Sequence, residues 1–200
     1  AGLNHADWTA DGNYFAATCE FSGQLIWVNT SKMKVEAYSF LPTTYNHKPQ
    51  PQDIKISPDG KTFYIADMMS DAVWVMPANK FGTYSFIKTG KAAHGLYVTR
   101  DSKNLLITNR GEGSISVLRF SDNKIIAKWK IPGGGSPDMG GISADGKQFW
   151  VSGRYNNVVY VFDIEHGKYL TQIKVGKEPH GLAIYPQPGR YSLGHTGVFR

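Results

Sequence analysis

Residues 93–110 read AHGLYVTRDSKNLLITNR. Two short apolar stretches, HGLYVT and LLITNR, flank the turn signal Arg100-Asp101-Ser102. That pattern predicts a β-hairpin. Residues 179–195, PHGLAIYPQPGRYSLGH, open on the same His-Gly pair. A histidine repeated at the start of an inner strand is either a packing device or part of a site.

The hairpin is one copy of a longer repeat. Turn aspartates at positions 11, 59, 101 and 145 recur every 42–48 residues, and Pro186-Gln187-Pro188 holds the next turn. Before the turns lie NHADWT, QDIKIS, HGLYVT, DMGGIS and HGLAIY; after them lie YFAATC, FYIADM, LLITNR, FWVSGR and YSLGHT. Two more strand-like stretches follow in each full unit. The third set is QLIWVN, AVWVMP, SISVLR and VVYVFD, and the fourth is VEAYSF, TYSFIK, KIIAKW and KYLTQI. Four short strands per repeat of this length predict an all-β fold, a β-propeller of four-stranded antiparallel blades. No window shows helical periodicity, which excludes a doubly wound α/β fold.

The expected blades are approximately 1–44, 45–90, 91–132 and 133–176, with a half blade at 177–200, all in one domain. A propeller must seal its end blades, because unpaired strand edges are a liability. The expectation is therefore a C-terminal portion of a longer chain. Preceding blades, or a partner chain, would supply the strands that close the ring.

Composition narrows the function classes. The 200 residues carry 22 Lys+Arg against 16 Asp+Glu, a net charge of +6. The basic residues are scattered, with no stripe that would track a phosphate backbone, so no nucleic-acid partner is expected. No apolar run has the length of a transmembrane segment. The single cysteine, Cys19, rules out an internal disulfide. It reads as a small buried residue before it reads as a ligand or nucleophile.

The segment LLITNRGEGSISVLRF resembles the YVTN repeat, with Ile107-Thr108-Asn109 on the motif's last three positions. Together with PHGL…PQPGRYSLGHTG at 179–197, the whole chain resembles YncE-like YVTN-family β-propeller proteins. The resemblance implies about seven blades in the full protein and export to the periplasm or cell exterior. It also implies a more distant similarity to propeller lactonases and to the haem-binding propeller of dissimilatory nitrite reductases. It implies no settled activity.

In a propeller the start of strand one and the end of strand two share a face, where ligands usually bind. The first column holds Asn4, Gln52, His94, Asp138 and His180. The second holds Cys19, Asp67, Asn109, Gly153 and His195, and the next position Glu20, Met68, Arg110, Arg154 and Thr196. These columns are mostly polar and change from blade to blade, whereas the columns beneath stay apolar. Individual duties follow more naturally than a shared packing role.

The candidate ligand-binding residues at the channel mouth are therefore His94, His180, Asp138, Asn109, Arg110, Arg154, His195, Asp67 and Gln52. Arg110 and Arg154 are placed to grip a carboxylate or phosphate, or else to pair with Glu112 or neighbouring aspartates. His94, His180 and His195 are the candidate metal ligands, with Asp67 and Asp138 as carboxylates of the right kind beside them. From sequence, His94 and His180 sit two blades apart and would have to reach across the channel. Their alternative role is packing between blades. His5 reads as a rim or inter-blade contact, and His47 and His166 as surface residues. Trp27, Trp74 and Tyr160 read as inter-blade core.

The leading expectation is an exported binding or scaffold protein whose partner is a small polar ligand or another protein. Its possible cofactors are a metal ion or haem. The rivals are an enzyme of lactonase-like or haem- or metal-dependent redox type, and a structural interaction module. The sequence contains neither a Cys-x-x-Cys-His haem motif nor a nucleophile–base pair.

Overall fold

A computed structural model describes residues 2–185. Its described residues form sixteen strands and no helix. The first blade is β1 (Leu3–Trp8), β2 (Tyr14–Cys19), β3 (Gln24–Asn29) and β4 (Lys34–Phe40). The second is β5 (Pro51–Ile56), β6 (Thr62–Asp67), β7 (Ala72–Pro77) and β8 (Ser85–Lys88). The third is β9 (Ala93–Val98), β10 (Asn104–Asn109), β11 (Ser114–Arg119) and β12 (Lys124–Lys130). The fourth is β13 (Pro137–Ile142), β14 (Gln148–Gly153), β15 (Val158–Asp163) and β16 (Lys168–Lys174). Each blade is a separate four-stranded sheet with its strands in sequence order.

The inner hairpins of the four described blades turn by the same device. A Ser or Thr hydroxyl at the end of strand one donates to the turn aspartate: Thr9 to Asp11 (2.6 Å), Ser57 to Asp59 (2.5 Å), Thr99 to Asp101 (2.6 Å) and Ser143 to Asp145 (2.6 Å). The same carboxyl accepts the N–H of Asn13, Lys61, Lys103 or Lys147 two residues on. An aspartate closing a tight turn on its own backbone explains the aspartate column. The next residue sits in the left-handed region, at φ +73° for Gly12, +72° for Gly60 and +75° for Gly146. Ser102 takes that position in the third blade at φ +60°.

The chain divides into two compact units, residues 1–93 and 94–200. In the first, β1 packs beside β5 over a core that includes Leu25, Ile54, Phe63, Ile65, Trp74 and Met76. Trp27 packs on this core, edge-on to Phe63. A charged group is also buried there: His5 Nδ1 and Lys55 Nζ stand 3.6 and 3.7 Å from Asp53 Oδ1. His5 is thus an inter-blade contact. In the second unit the core includes Leu106, Ile115, Phe149, Val151, Tyr160 and Phe162. The aromatic positions of the third strands are core residues in both units.

Residues 179–185, expected as the first strand of a half blade, form no strand. The rest of that half blade, with its turn at 186–188 and with His195, lies outside the described residues.

Candidate functional site

The first strands of the first, second and fourth blades carry a register shift near their start, between Leu3 and Ala6, Pro51 and Ile54, and Pro137 and Gly140. Such bulges re-aim side chains and release backbone groups from the ladder. A hydroxyl one residue before the end of strand two takes up the released groups. Thr18 accepts the His5 N–H (3.0 Å) and donates to Gln52 O (2.7 Å). Thr108 accepts the Gly95 N–H (2.6 Å) and donates to Asp138 O (3.0 Å). Ser152 accepts the Met139 N–H (3.2 Å) and donates to His180 O (2.7 Å).

Each hydroxyl therefore ties its own first strand to the column-one residue of the next blade. Thr108 is also the threonine of the Ile-Thr-Asn motif, whose role was not evident from sequence. The second blade has Ala66 at this position.

In the second unit this ladder brings three successive column-one residues together. Asp138, fully buried, lies between His94 and His180. His94 Nδ1 is 3.0 Å from Asp138 Oδ1, and His180 Nε2 is 3.7 Å from Asp138 Oδ2. The two imidazole centroids are 6.2 Å apart. The expectation that these histidines must reach across a channel is corrected: the intervening blade supplies the link.

Two guanidiniums complete the cluster. Arg110 donates from Nη1 to Asp138 Oδ1 at 3.2 Å, and Arg154 Nη1 stands 3.6 Å from Asp138 Oδ2. Of the two sequence alternatives for this pair, the structure shows both arginines on one aspartate. Tyr155, which the sequence did not single out, lies with its ring centroid 5.9 Å from both guanidinium carbons. Its signal was only adjacency to Arg154.

Burial gives the cluster a floor and an edge. His94 and Asp138 form the buried floor, while the side chains of His180 and Arg154 are 44% and 32% exposed. Burial pushes the Asp138 carboxyl upward, opposed by Arg110, His180 and Arg154. With neutral imidazoles, two guanidiniums against one carboxylate leave a net charge of +1. Asp138 Oδ2 accepts no hydrogen bond among the described residues. Arg154 Nε is likewise buried without an acceptor there.

The glycine of the His-Gly pair has a packing explanation. A Cβ on Gly95 would stand 2.8 Å from Asp138 O and 2.7 Å from the Tyr97 hydroxyl. Only a glycine lets the next blade's backbone come this close. Tyr97 in turn accepts the Gly140 N–H at 2.7 Å.

The remaining candidates are held within their own surroundings. Asn109 is buried and donates to Ser114 and Ser116 on β11. Asp67, in the first unit, accepts from Gln50 and Met69 N–H, the Ser70 hydroxyl and the Trp74 indole. Gln52, also in the first unit, donates to Gln50 O and accepts from Asn4. Cys19 is buried, and burial pushes its thiol upward. His47 is exposed, and exposed His166 pairs with Asp163 at 2.7 Å.

Comparison with known proteins gives a family. Among curated proteins none matches by sequence. The chain is similar in fold to the periplasmic gluconolactonase PpgL of Pseudomonas aeruginosa, at 18% identity and a TM-score of 0.76, over 92% of this chain and 60% of that one. It is similar to Kuenenia stuttgartiensis hydrazine synthase at 22% identity and 0.74, over 86% and 49%. It is also similar to a catalytically inactive virginiamycin B lyase from Staphylococcus aureus with quinupristin, at 17% and 0.73, over 89% and 58%. The chain thus spans about half to three-fifths of the length of these proteins. The YncE-like beta-propeller family matches residues 43–188. With four blades of the expected topology, the chain belongs to the YncE-like β-propeller family.

Proposed function

We propose that this chain is the ligand-binding part of an exported YncE-like propeller and that it takes a small anion at the Asp138 cluster. The observation that carries this reading is the convergence of Arg110, Arg154, His94 and His180 on one buried carboxylate. Asp138 fixes both guanidiniums, and the pair keeps a net positive charge for a carboxylate or phosphate group. Such a ligand enters past His180 and Arg154, the exposed edge, with Tyr155 beside it. Preorganised donors lower the ordering cost of binding. Family membership and the fold shared with a periplasmic lactonase support an exported location.

The test is calorimetric titration of the full-length protein, freed of metal by chelation, with phosphate, sulfate, citrate and gluconate. One of these anions binds, and Arg154→Ala weakens it by about 10–100-fold, the loss of a charge-assisted hydrogen bond. If none binds, or if Arg154→Ala binds as the parent does, the reading is wrong.

A second reading, hydrolase or lyase, draws on one observation. The Asp138 carboxylate beside His94 Nδ1 is the arrangement that fixes an imidazole's tautomer and orients it as a base. Turnover of a lactone or ester that disappears in His94→Gln, with anion binding retained, would favour it over a binding protein.

A further inference from the structure

We infer that His94, Asp138 and His180 form a binding site for a divalent first-row transition ion. One donor atom from each of the three lies within 4.8 Å of the other two. Two imidazoles and a carboxylate are the donor set that borderline ions such as Zn²⁺ and Co²⁺ prefer. Ligand atoms on an ion with bonds of about 2.1 Å stand roughly 3.0–3.4 Å apart. His94 Nδ1 and Asp138 Oδ1 already stand at 3.0 Å. His180 Nε2 stands 3.7 Å from Oδ2, the other oxygen of the same carboxylate, so His180, on a segment that forms no strand, must approach for all three donors to reach one ion.

A separate observation points to an occupant. Asp138 Oδ2 is a buried carboxylate oxygen that accepts no hydrogen bond among the described residues. Such a group is costly unless a donor or a cation fills its lone pairs. The two guanidiniums 3.6 Å or more from Oδ2, or directed at Oδ1, act as the outer shell that holds a ligating carboxylate in place.

Three protein ligands leave open coordination positions, as in catalytic rather than structural sites. The arginine charges oppose the ion, so the site holds it less tightly than a closed zinc site would. They also favour an anion on the open positions. Ion and anion therefore strengthen one another, and this second part rests on the anion reading above. Of the donors the sequence offered, the cluster brings together His94, His180 and Asp138, while His195 lies outside the described residues.

The test titrates the chelator-treated full-length protein with Co²⁺ alone, then with Co²⁺ in the presence of phosphate. The expected result is an intense visible d–d band of a low-coordinate cobalt site, displaced by Zn²⁺. The band is lost in His180→Ala, whose exposed side chain makes it a safe substitution for folding, and in Asp138→Asn. The circular-dichroism spectrum and thermal midpoint of each variant show that it is folded. Absence of a band or of bound ion in the parent, or an undiminished band in folded His180→Ala, overturns the inference. If Co²⁺ binds but phosphate leaves its affinity unchanged, the synergy is refuted while the ion site stands. Phosphate binding to the metal-free protein is read separately, so failure of one reading is not failure of the other.

Discussion

His94 and His180, 86 residues apart in sequence, stand with their ring planes at 82° and their centroids 6.2 Å apart. Neither ring is brought there by its own hairpin alone. The carbonyl of Asp138 is held by Thr108, and the carbonyl of His180 by Ser152. The site is a product of blade-to-blade registration, and its sensitivity to substitution follows from that.

Thr108→Val keeps the volume but removes the hydroxyl between the Gly95 N–H and Asp138 O. Both backbone groups are buried, so the expected cost is about 1–3 kcal/mol. Chemical denaturation of the full-length protein measures it. The same variant is expected to weaken ligand binding, because the Asp138 strand loses its tether. Thr108→Ser should restore both quantities.

Gly95→Ala tests the answer to the His-Gly question. The added methyl would meet the Asp138 carbonyl at 2.8 Å, and backbone on the facing strand has little room to yield. Overpacking of this kind costs typically 1–3 kcal/mol. A thermal midpoint equal to the parent's would show that the close approach is not required.

The inner turns make the fold acid-sensitive. The Asp11, Asp59 and Asp145 carboxyls are held below the ordinary aspartate range, first by the Thr9, Ser57 and Ser143 hydroxyls and then by backbone N–H groups. A carboxyl depressed in the folded state adds stability that is present above its unfolded pKa. That stability is lost as pH falls through the folded value. Stability should therefore decline on acidification below the ordinary aspartate range. Asp59→Asn should flatten the decline, as read from denaturation midpoints across an acid pH series.

His166 gives the opposite sign at the surface. The Asp163 carboxylate, bonded to its Nδ1 at 2.7 Å, raises the imidazole pKa above its ordinary value. The contribution is fully present below the unfolded histidine pKa and disappears as pH rises through the raised one. The pair is exposed, so its effect on stability is small. Histidine NMR titration should show His166 returning to the ordinary value in Asp163→Asn.

The sequence by itself determined the blades. Apolar alternation, the repeated turn aspartates and the spacing of the strands are local, and each blade forms by pairing neighbours in sequence. Column reading also singled out His94, Asp138, His180, Arg110 and Arg154, because polar residues that vary among equivalent positions stand out over an apolar floor. Tertiary structure alone decided that the other four meet on the Asp138 carboxylate. Their meeting depends on strand bulges and on hydroxyls that bond carbonyls in the following blade, and neither leaves a distinctive mark in one repeat. The same columns in the first unit hold Asp67 and Gln52 in hydrogen bonds to nearby groups, as Asn109 is held in the second. Position in a repeat states where a side chain begins; packing against the next blade states what it faces.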